Sequence, residues 1–299
     1  MAKNEFLPFG TAANANVMPN ADYQTLPLRT SGFVSGVAKS EVLNTVWRQA
    51  SVISHVVAQS IADNTGKDVL DNGDTQALLN AYEDSISGRL IAVRTFNASG
   101  TYTPSKMTKK IIVEVCGGGG GGAGTPATPT TSHAAAGSGG GGGAYGKAIF
   151  TSGFASVAVV IGAGGAGGNG VAGLDGGKTS FGALLSASGG KGAPNPTLDT
   201  QSFATSRGGS GGSDVSGANI EAADGQPGFP GAIFIGNGGY GGTGGSSSKG
   251  NGGGYGVDAN APSVNGSGSG GGGVISGGGN PVFRGAAGAP GVVIVYEYS

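Results

Sequence analysis

All but seven of the 67 glycines in this 299-residue chain lie at or beyond Gly117. From there to Gly291 about one residue in three is glycine, a density otherwise met in collagen or in disordered low-complexity chains. A stretch so poor in Cβ atoms cannot bury an ordinary apolar core, so it must satisfy its backbone N–H and C=O groups on one another if it is to fold. Collagen is excluded because its Gly-X-Y period is unbroken and proline-rich, whereas this chain has 13 prolines and breaks the period often. Disorder is excluded by apolar, strand-length runs that interrupt the glycines at intervals.

Read in threes, the glycines fall into registers: Gly137, Gly140, Gly143 and Gly146; Gly164, Gly167, Gly170, Gly173 and Gly176; Gly236, Gly239, Gly242 and Gly245; Gly250, Gly253 and Gly256; Gly285, Gly288 and Gly291. Three residues per turn is the period of the polyproline II helix, which rises about 3.1 Å per residue and makes no hydrogen bond within itself. Several such helices with glycine faces can approach closely enough to bond N–H to O=C between neighbours. The period therefore predicts a slab of packed polyproline or polyglycine II helices.

The interruptions predict the rest of this region. "KKIIVEVCGG" from Lys109, "AYGKAIFTS" from Ala144, "SVAVVIG" from Ser156, "TSFGALLSAS" from Thr179 and "GVVIVYEYS" from Gly291 have the length and patterning of strands, forming a small antiparallel sheet or sandwich at one end of the slab. Cys116, the sole cysteine, reads as a small buried residue at a strand end and leaves no intrachain disulfide.

Before residue 100 the composition is ordinary. Ser40 is placed to cap a helix running to about Asn64, with Leu43, Val46, Trp47, Ala50, Ile53, Val57 and Ile61 at helical spacing and Gly66 as its stop. A second helix starts at Asp74 and carries Leu78, Leu79, Tyr82 and Ile86. Val42, Val52 and Val56 widen the first helix's apolar stripe beyond what one short partner helix covers, which points to a subunit interface. His55, on the same helix, is expected at the surface or that interface rather than as a ligand.

Two nucleotide-binding signatures overlap in "VAVVIGAGGAGGNGVAGLDGGKTS". Gly162, Gly164 and Gly167 spell G-x-G-x-x-G after an apolar run, and "AGLDGGKT" from Ala172 is one residue from a P-loop containing Lys178. In a region this rich in glycine about six accidental matches to the first template are expected, and both motifs need a following helix that such a sequence cannot sustain, each interior glycine costing about 1 kcal/mol. Neither carries a cofactor assignment. His55 and His133 lie far apart, so no metal cluster is indicated, and no Ser-His-Asp or paired-carboxylate set stands out. A net charge of -1 argues against nucleic acid or an anionic membrane as partner. "MAKNEFLPFG" lacks an apolar h-region and no run approaches a membrane span, so general secretion and membrane insertion are not expected.

The segment "FLPFGTAANANVMPNADYQTLPLRTSGFVSGVAKSEVLNTVWRQASVISHVVAQSIADNTGKDVLDNGD" resembles the N-terminal region of tail fibre proteins of tailed bacteriophages and prophages. "TFNASGTYTPSKMTKKIIVEVCGGGGGGAG" and the closing "GAPGVVIVYEYS" resemble the glycine-rich C-terminal domain of such fibres. The resemblance implies a non-enzymatic virion component, a homotrimer made in the host cytoplasm, attached to tail or baseplate proteins by its N-terminal part. Its distal part would contact a protein or polysaccharide receptor on the bacterial surface. The chain is short for a fibre and has no repeat shaft, which suits a tip or short side fibre.

The expected organisation is a mainly β and irregular fold: an extended tail-attachment segment over 1–39, a helical trimerisation region over 40–92 and a glycine-rich distal domain over 93–299. Excursions that break the glycine register, from Thr125, Pro194, Ser213 and Val257, read as loops without strand or helix period. Their candidate receptor contacts are Thr125, His133, Asn195, Phe203, Arg207, Asp214, Glu221, Phe229 and Asp258. Two other readings stay open: a nucleotide-dependent enzyme, which predicts bound flavin, NAD or ATP, and a purely structural glycine-rich protein, which predicts no preference among bacterial strains.

Overall fold

A computed structural model describes residues 2–128, 133–199, 203–234 and 238–299. The chain forms two compact units, Met1–Arg89 and Leu90–Ser299. It is mainly β-strand, in several small sheets, with four helices: α1 (Asn20–Thr25), α2 (Leu28–Ser31), α3 (Ser40–Thr65) and α4 (Thr75–Ser85).

In the first unit the punctuation works largely as the residues suggest. Helix α3 stops where Gly66 takes φ 68 and its N–H reaches the Ala62 carbonyl. Asp74 caps α4 by accepting the Ala77 N–H at 2.9 Å. The α3 cap falls on Lys39 instead of Ser40, whose hydroxyl accepts from Asn16 Nδ2 at 3.0 Å. Helices α1 and α2 also interrupt the segment before residue 40, so that segment is not extended throughout.

The unit's core is small. Ala58, Ile61, Ala62 and Val69 are buried, with Phe6, Leu78 and Ala81 packed against them. Ile61 is 1% exposed, so it is enclosed by its own chain and leaves the stripe expected to face another subunit. His55 is half-buried, its Nδ1 2.8 Å from the Phe6 carbonyl oxygen.

In the second unit every strand expected from an apolar run forms. One five-stranded antiparallel sheet has the spatial order Leu90–Phe96, Val292–Tyr298, Lys110–Cys116, Tyr145–Phe150, Glu221–Ala223. A second has the order Val215–Ser216, Leu185–Ala187, Thr179–Phe181, Val157–Val160, Gly100–Tyr102. The two share one apolar core, with Ile111, Val113, Val115, Val293 and Val295 from the first and Tyr102, Val159, Phe181 and Leu185 from the second. Alternation along Val292–Tyr298 carries Glu297 inward after Val293 and Val295. Its buried carboxylate is met by Arg94 Nε at 2.6 Å, the Ser105 N–H at 3.1 Å and the Thr108 hydroxyl at 3.0 Å.

Two smaller sheets lie at the other ends of the glycine runs. One pairs Ala204–Ser206, Gly231–Phe234 and Gly238–Tyr240; the other pairs Gly256–Val257, Val274–Ser276, Ala134–Ala136 and Thr197–Asp199. Ala134, Ala136, Ile233 and Ile275 form a satellite core between them.

The glycine runs between these ends bond outward with a period of three. Along 117–125, Gly120 donates to Gly141, Gly121 to Leu174 and Gly122 to Ala286, and the rotation then repeats with Ala123 to Ser138, Gly124 to Val171 and Thr125 to Phe283. The same run accepts from three further neighbours, through Gly190 N–H to Gly118 O, Gly165 N–H to Gly119 O and Gly271 N–H to Gly120 O. The run 137–144 is likewise surrounded, donating to the 268–274, 226–229 and 188–191 segments and accepting from 242–245, 209–212 and 117–123.

A methyl group on Gly121 would overlap the Ala166 carbonyl, and one on Gly173 the Gly121 carbonyl. Close approach of backbones, three neighbours per turn, is what these positions need glycine for.

The expected registers are cut differently. The series from Gly164 to Gly176 is not one run: Gly170, at φ 74, turns the chain, and 171–177 folds back on 162–168 through Leu174 N–H to Ala166 O at 2.9 Å. Gly146 belongs to the strand Tyr145–Phe150 and Gly239 to the strand Gly238–Tyr240, while Gly236 lies outside the described residues.

Candidate functional site

The runs leave the paired five-stranded sheets, cross the glycine-bonded region and turn at the far end, where the excursions gather. By chain connectivity that end holds Thr125, His133, Asn195, Phe203, Arg207 and Asp258. It does not hold Asp214 or Glu221. The segment from Ser213 pairs back into the sheets, Val215 against Ala187 and Glu221 against Lys147, so these two residues sit at the opposite end from the others. The expectation that this excursion is a loop fails because its short β-branched and alanine segments find sheet edges to complete.

Two more assignments change. Thr125 is fully buried and bridges Phe283 with backbone bonds, which removes it as a surface contact. Phe229 is exposed, but on the flank of a glycine run, where its N–H donates to the Thr243 carbonyl at 2.8 Å. The excursions from Thr125 and Pro194 also contain strands, Ala134–Ala136, Thr197–Asp199 and Ala204–Ser206.

Asn195 is exposed and accepts the Ala172 N–H at 3.1 Å. His133 is half-buried and Arg207 exposed. Asp258, at φ 47, accepts from the Gly277 N–H at 2.8 Å and from Asn280 Nδ2 at 2.7 Å, which ties two adjacent turns together.

The distinctive feature of this end is aromatic. In the sheet of Ala204–Ser206, Gly231–Phe234 and Gly238–Tyr240, Ile233 points into the satellite core, and by alternation Phe234 presents the opposite face. Phe203 stacks on Phe234 with centroids 6.3 Å apart and planes 10° apart, and Tyr240 meets Phe234 edge-on at 5.8 Å. Phe203 is 63% exposed, Phe234 46% and Tyr240 40%. Only Phe203 could be singled out beforehand; Phe234 and Tyr240 lie in strands whose pairing brings them beside it.

The nucleotide signatures have no matching site. Three amides around Gly164 are committed, Gly162 N–H to Thr179 Oγ1 at 3.1 Å, Gly165 N–H to Gly119 O at 2.8 Å and Gly168 N–H to Gly122 O at 2.9 Å. Lys178 is followed by the strand Thr179–Phe181, where a phosphate loop requires a helix N-terminus. Among the described residues no group of His, Cys, Asp and Glu is placed to hold a metal ion, and no helix is long and apolar enough to cross a membrane.

Buried charge is also compensated in the first of the five-stranded sheets. Glu114, buried on Lys110–Cys116, is bridged by Lys147 at 3.2 Å and by Lys249. Burial pushes its carboxyl up, but the hydrogen bonds from the two lysines outweigh that and leave it below the usual range. Burial raises the Cys116 thiol to about 11.

The sheets and glycine runs together define the class: the chain belongs to the glycine-rich domain family, whose model matches residues 95–298. No curated protein matches it.

Proposed function

We propose that this chain is a virion tail-fibre protein that recognises the host bacterial surface through the end of its glycine-rich unit remote from the paired five-stranded sheets. In this reading the glycine runs are polyglycine II helices packed as a rigid slab, and the N-terminal unit attaches to the tail. The observation that carries it is the exposed cluster of Phe203, Phe234 and Tyr240, seated on a sheet whose other face is closed by a core. Aromatic side chains supply contact area at low entropic cost, and a base held by backbone hydrogen bonds loses little freedom when it binds. The N-terminal resemblance supplies the virion context.

The test is adsorption of the full chain to a panel of bacterial strains with defined surface mutants. Strain-selective binding is expected, falling at least tenfold in the Phe203→Ala/Phe234→Ala/Tyr240→Ala variant while its thermal unfolding is unchanged. Undiminished binding by that variant would remove the cluster from the site. Equal binding to every strain, or to none, would favour a purely structural glycine-rich component.

A further inference from the structure

Five asparagines are followed directly by glycine: Asn72, Asn169, Asn237, Asn251 and Asn265. Asparagine is chemically labile, and most so in such a pair, because the glycine amide nitrogen can attack the asparagine side-chain carbon with no Cβ in the way. In a folded chain the attack needs a glycine N–H that is not already bonded and an asparagine side chain free to swing onto it. Asn237 lies outside the described residues, and the other four pairs differ on both counts.

Three of them are tied. Gly170 donates its N–H to the Phe283 carbonyl at 3.3 Å, and Asn169 itself bridges Arg284. Gly252 donates its N–H to Ser246 Oγ at 3.1 Å. At Asn72 the side-chain oxygen accepts the Asp74 N–H at 3.0 Å, in the turn that starts α4, so ring closure has to break that bond first.

Asn265 is not tied. It is exposed, and among the described residues neither its side chain nor the Gly266 N–H has a hydrogen-bond partner. The chain on either side is anchored. Val264 covers Gly253, the Ser267 carbonyl accepts from Ser247 Oγ at 2.6 Å, and the Gly268 N–H donates to the Pro290 carbonyl at 2.8 Å. Gly266 itself takes φ 96 and lies against Gly250, whose Cα a side chain at this position would strike. That close approach admits only glycine and so leaves the attacking nitrogen unshielded.

We propose that Asn265 is a site of spontaneous modification, converting to aspartate and isoaspartate ahead of Asn72, Asn169 and Asn251 in the folded chain. The Gly266 nitrogen gives up its proton to a base in solvent and bonds to Asn265 Cγ; the Cγ–Nδ2 bond then breaks and ammonia leaves. Water opens the resulting cyclic imide. Cleavage of the new N–Cγ bond yields aspartate, and cleavage between the backbone carbonyl and the Gly266 nitrogen yields isoaspartate, with one more carbon in the main chain. Either product places a negative charge on this exposed turn. The inference does not rest on the host-binding reading.

The test is to hold the full chain at mildly alkaline pH and physiological temperature, folded and in urea, and to map its peptides by mass spectrometry for exchange of the side-chain NH2 for OH. In the folded chain Asn265 is expected to convert at least fivefold faster than Asn72, Asn169 or Asn251, whereas in urea the four should fall within about twofold of one another. Asn265→Gln, whose ring would need an extra carbon, should leave that peptide unconverted with circular dichroism unchanged. Conversion at any of the other three as fast as at Asn265 in the folded chain overturns the proposal. So does an Asn265 that stays intact while folded, or a mass change in its peptide that persists in Asn265→Gln.

Discussion

At the scale of single residues, the second unit is governed by what has no side chain and by the carboxylate of Glu297, buried beside its main core. At Gly173 a Cβ would strike the Gly121 carbonyl, so Gly173→Val must displace backbone and is expected to cost about 3 kcal/mol in chemical denaturation. Asn169, exposed at the turn between two runs, should accept valine within about 0.5 kcal/mol. Equal effects at the two positions would refute the close approach. Burial alone would raise the Glu297 carboxyl, yet the hydrogen bonds from Ser105, Arg94 and Thr108 bring it down to about 2 from 4.5. A depressed carboxylate stabilises the fold fully above its unfolded value and loses that contribution as pH falls through the folded one. Stability should therefore decline between about pH 4.5 and 2 by roughly 3 kcal/mol, and Glu297→Gln should flatten that part of the curve. Cys116, its thiol pushed up to about 11, should react with a thiol reagent at pH 8 only after denaturation.

At the scale of elements, the two units obey different rules. Helix α4 owes its start to one side chain, so Asp74→Ala should cost about 1 kcal/mol, read in the unfolding of the N-terminal unit. The glycine runs own no hydrogen bonds within themselves and owe everything to neighbours. The amides of 118–122 and 139–144 belong to no strand or helix, yet they should exchange with solvent as slowly as those of Val113 and Val115, because both runs are enclosed by bonded partners on all sides. Rapid exchange there would show the runs to be loosely held. What the sequence made legible also differs between these elements. Strand runs such as "KKIIVEVC" declare themselves through β-branched residues, α3 through its period and its Gly66 stop, and α4 through its period and its Asp74 cap. The glycine period marks bonding runs but not where they turn, because a glycine serves equally inside a run and at a bend: Gly167 lies in the run and Gly170 is the bend.

At the scale of the whole chain, sequence and tertiary structure divided the work along a physical line. Composition by itself determined that two materials meet near residue 100 and that the glycine-rich runs of the second must be held largely by backbone bonding, since they carry too few side chains for a large apolar core of their own. It also marked five apolar runs that become strands, though not Leu90–Phe96, Gly231–Phe234 or Val274–Ser276, which pair only in the tertiary structure. It could not determine which run neighbours which, because every glycine offers the same donor and acceptor and many arrangements satisfy the same period. Tertiary structure chose among them by closing two side-chain cores, the pair of sheets around Val113, Phe181 and Val293 at one end and Ala134, Ile233 and Ile275 at the other, so that the register of the cores sets the order of the runs. The same closure drew Asp214 and Glu221 away from the far end and brought Phe234 and Tyr240 to Phe203 there. Those are long-range pairings, fixed by cross-strand register between segments far apart in the chain, and no local pattern records them.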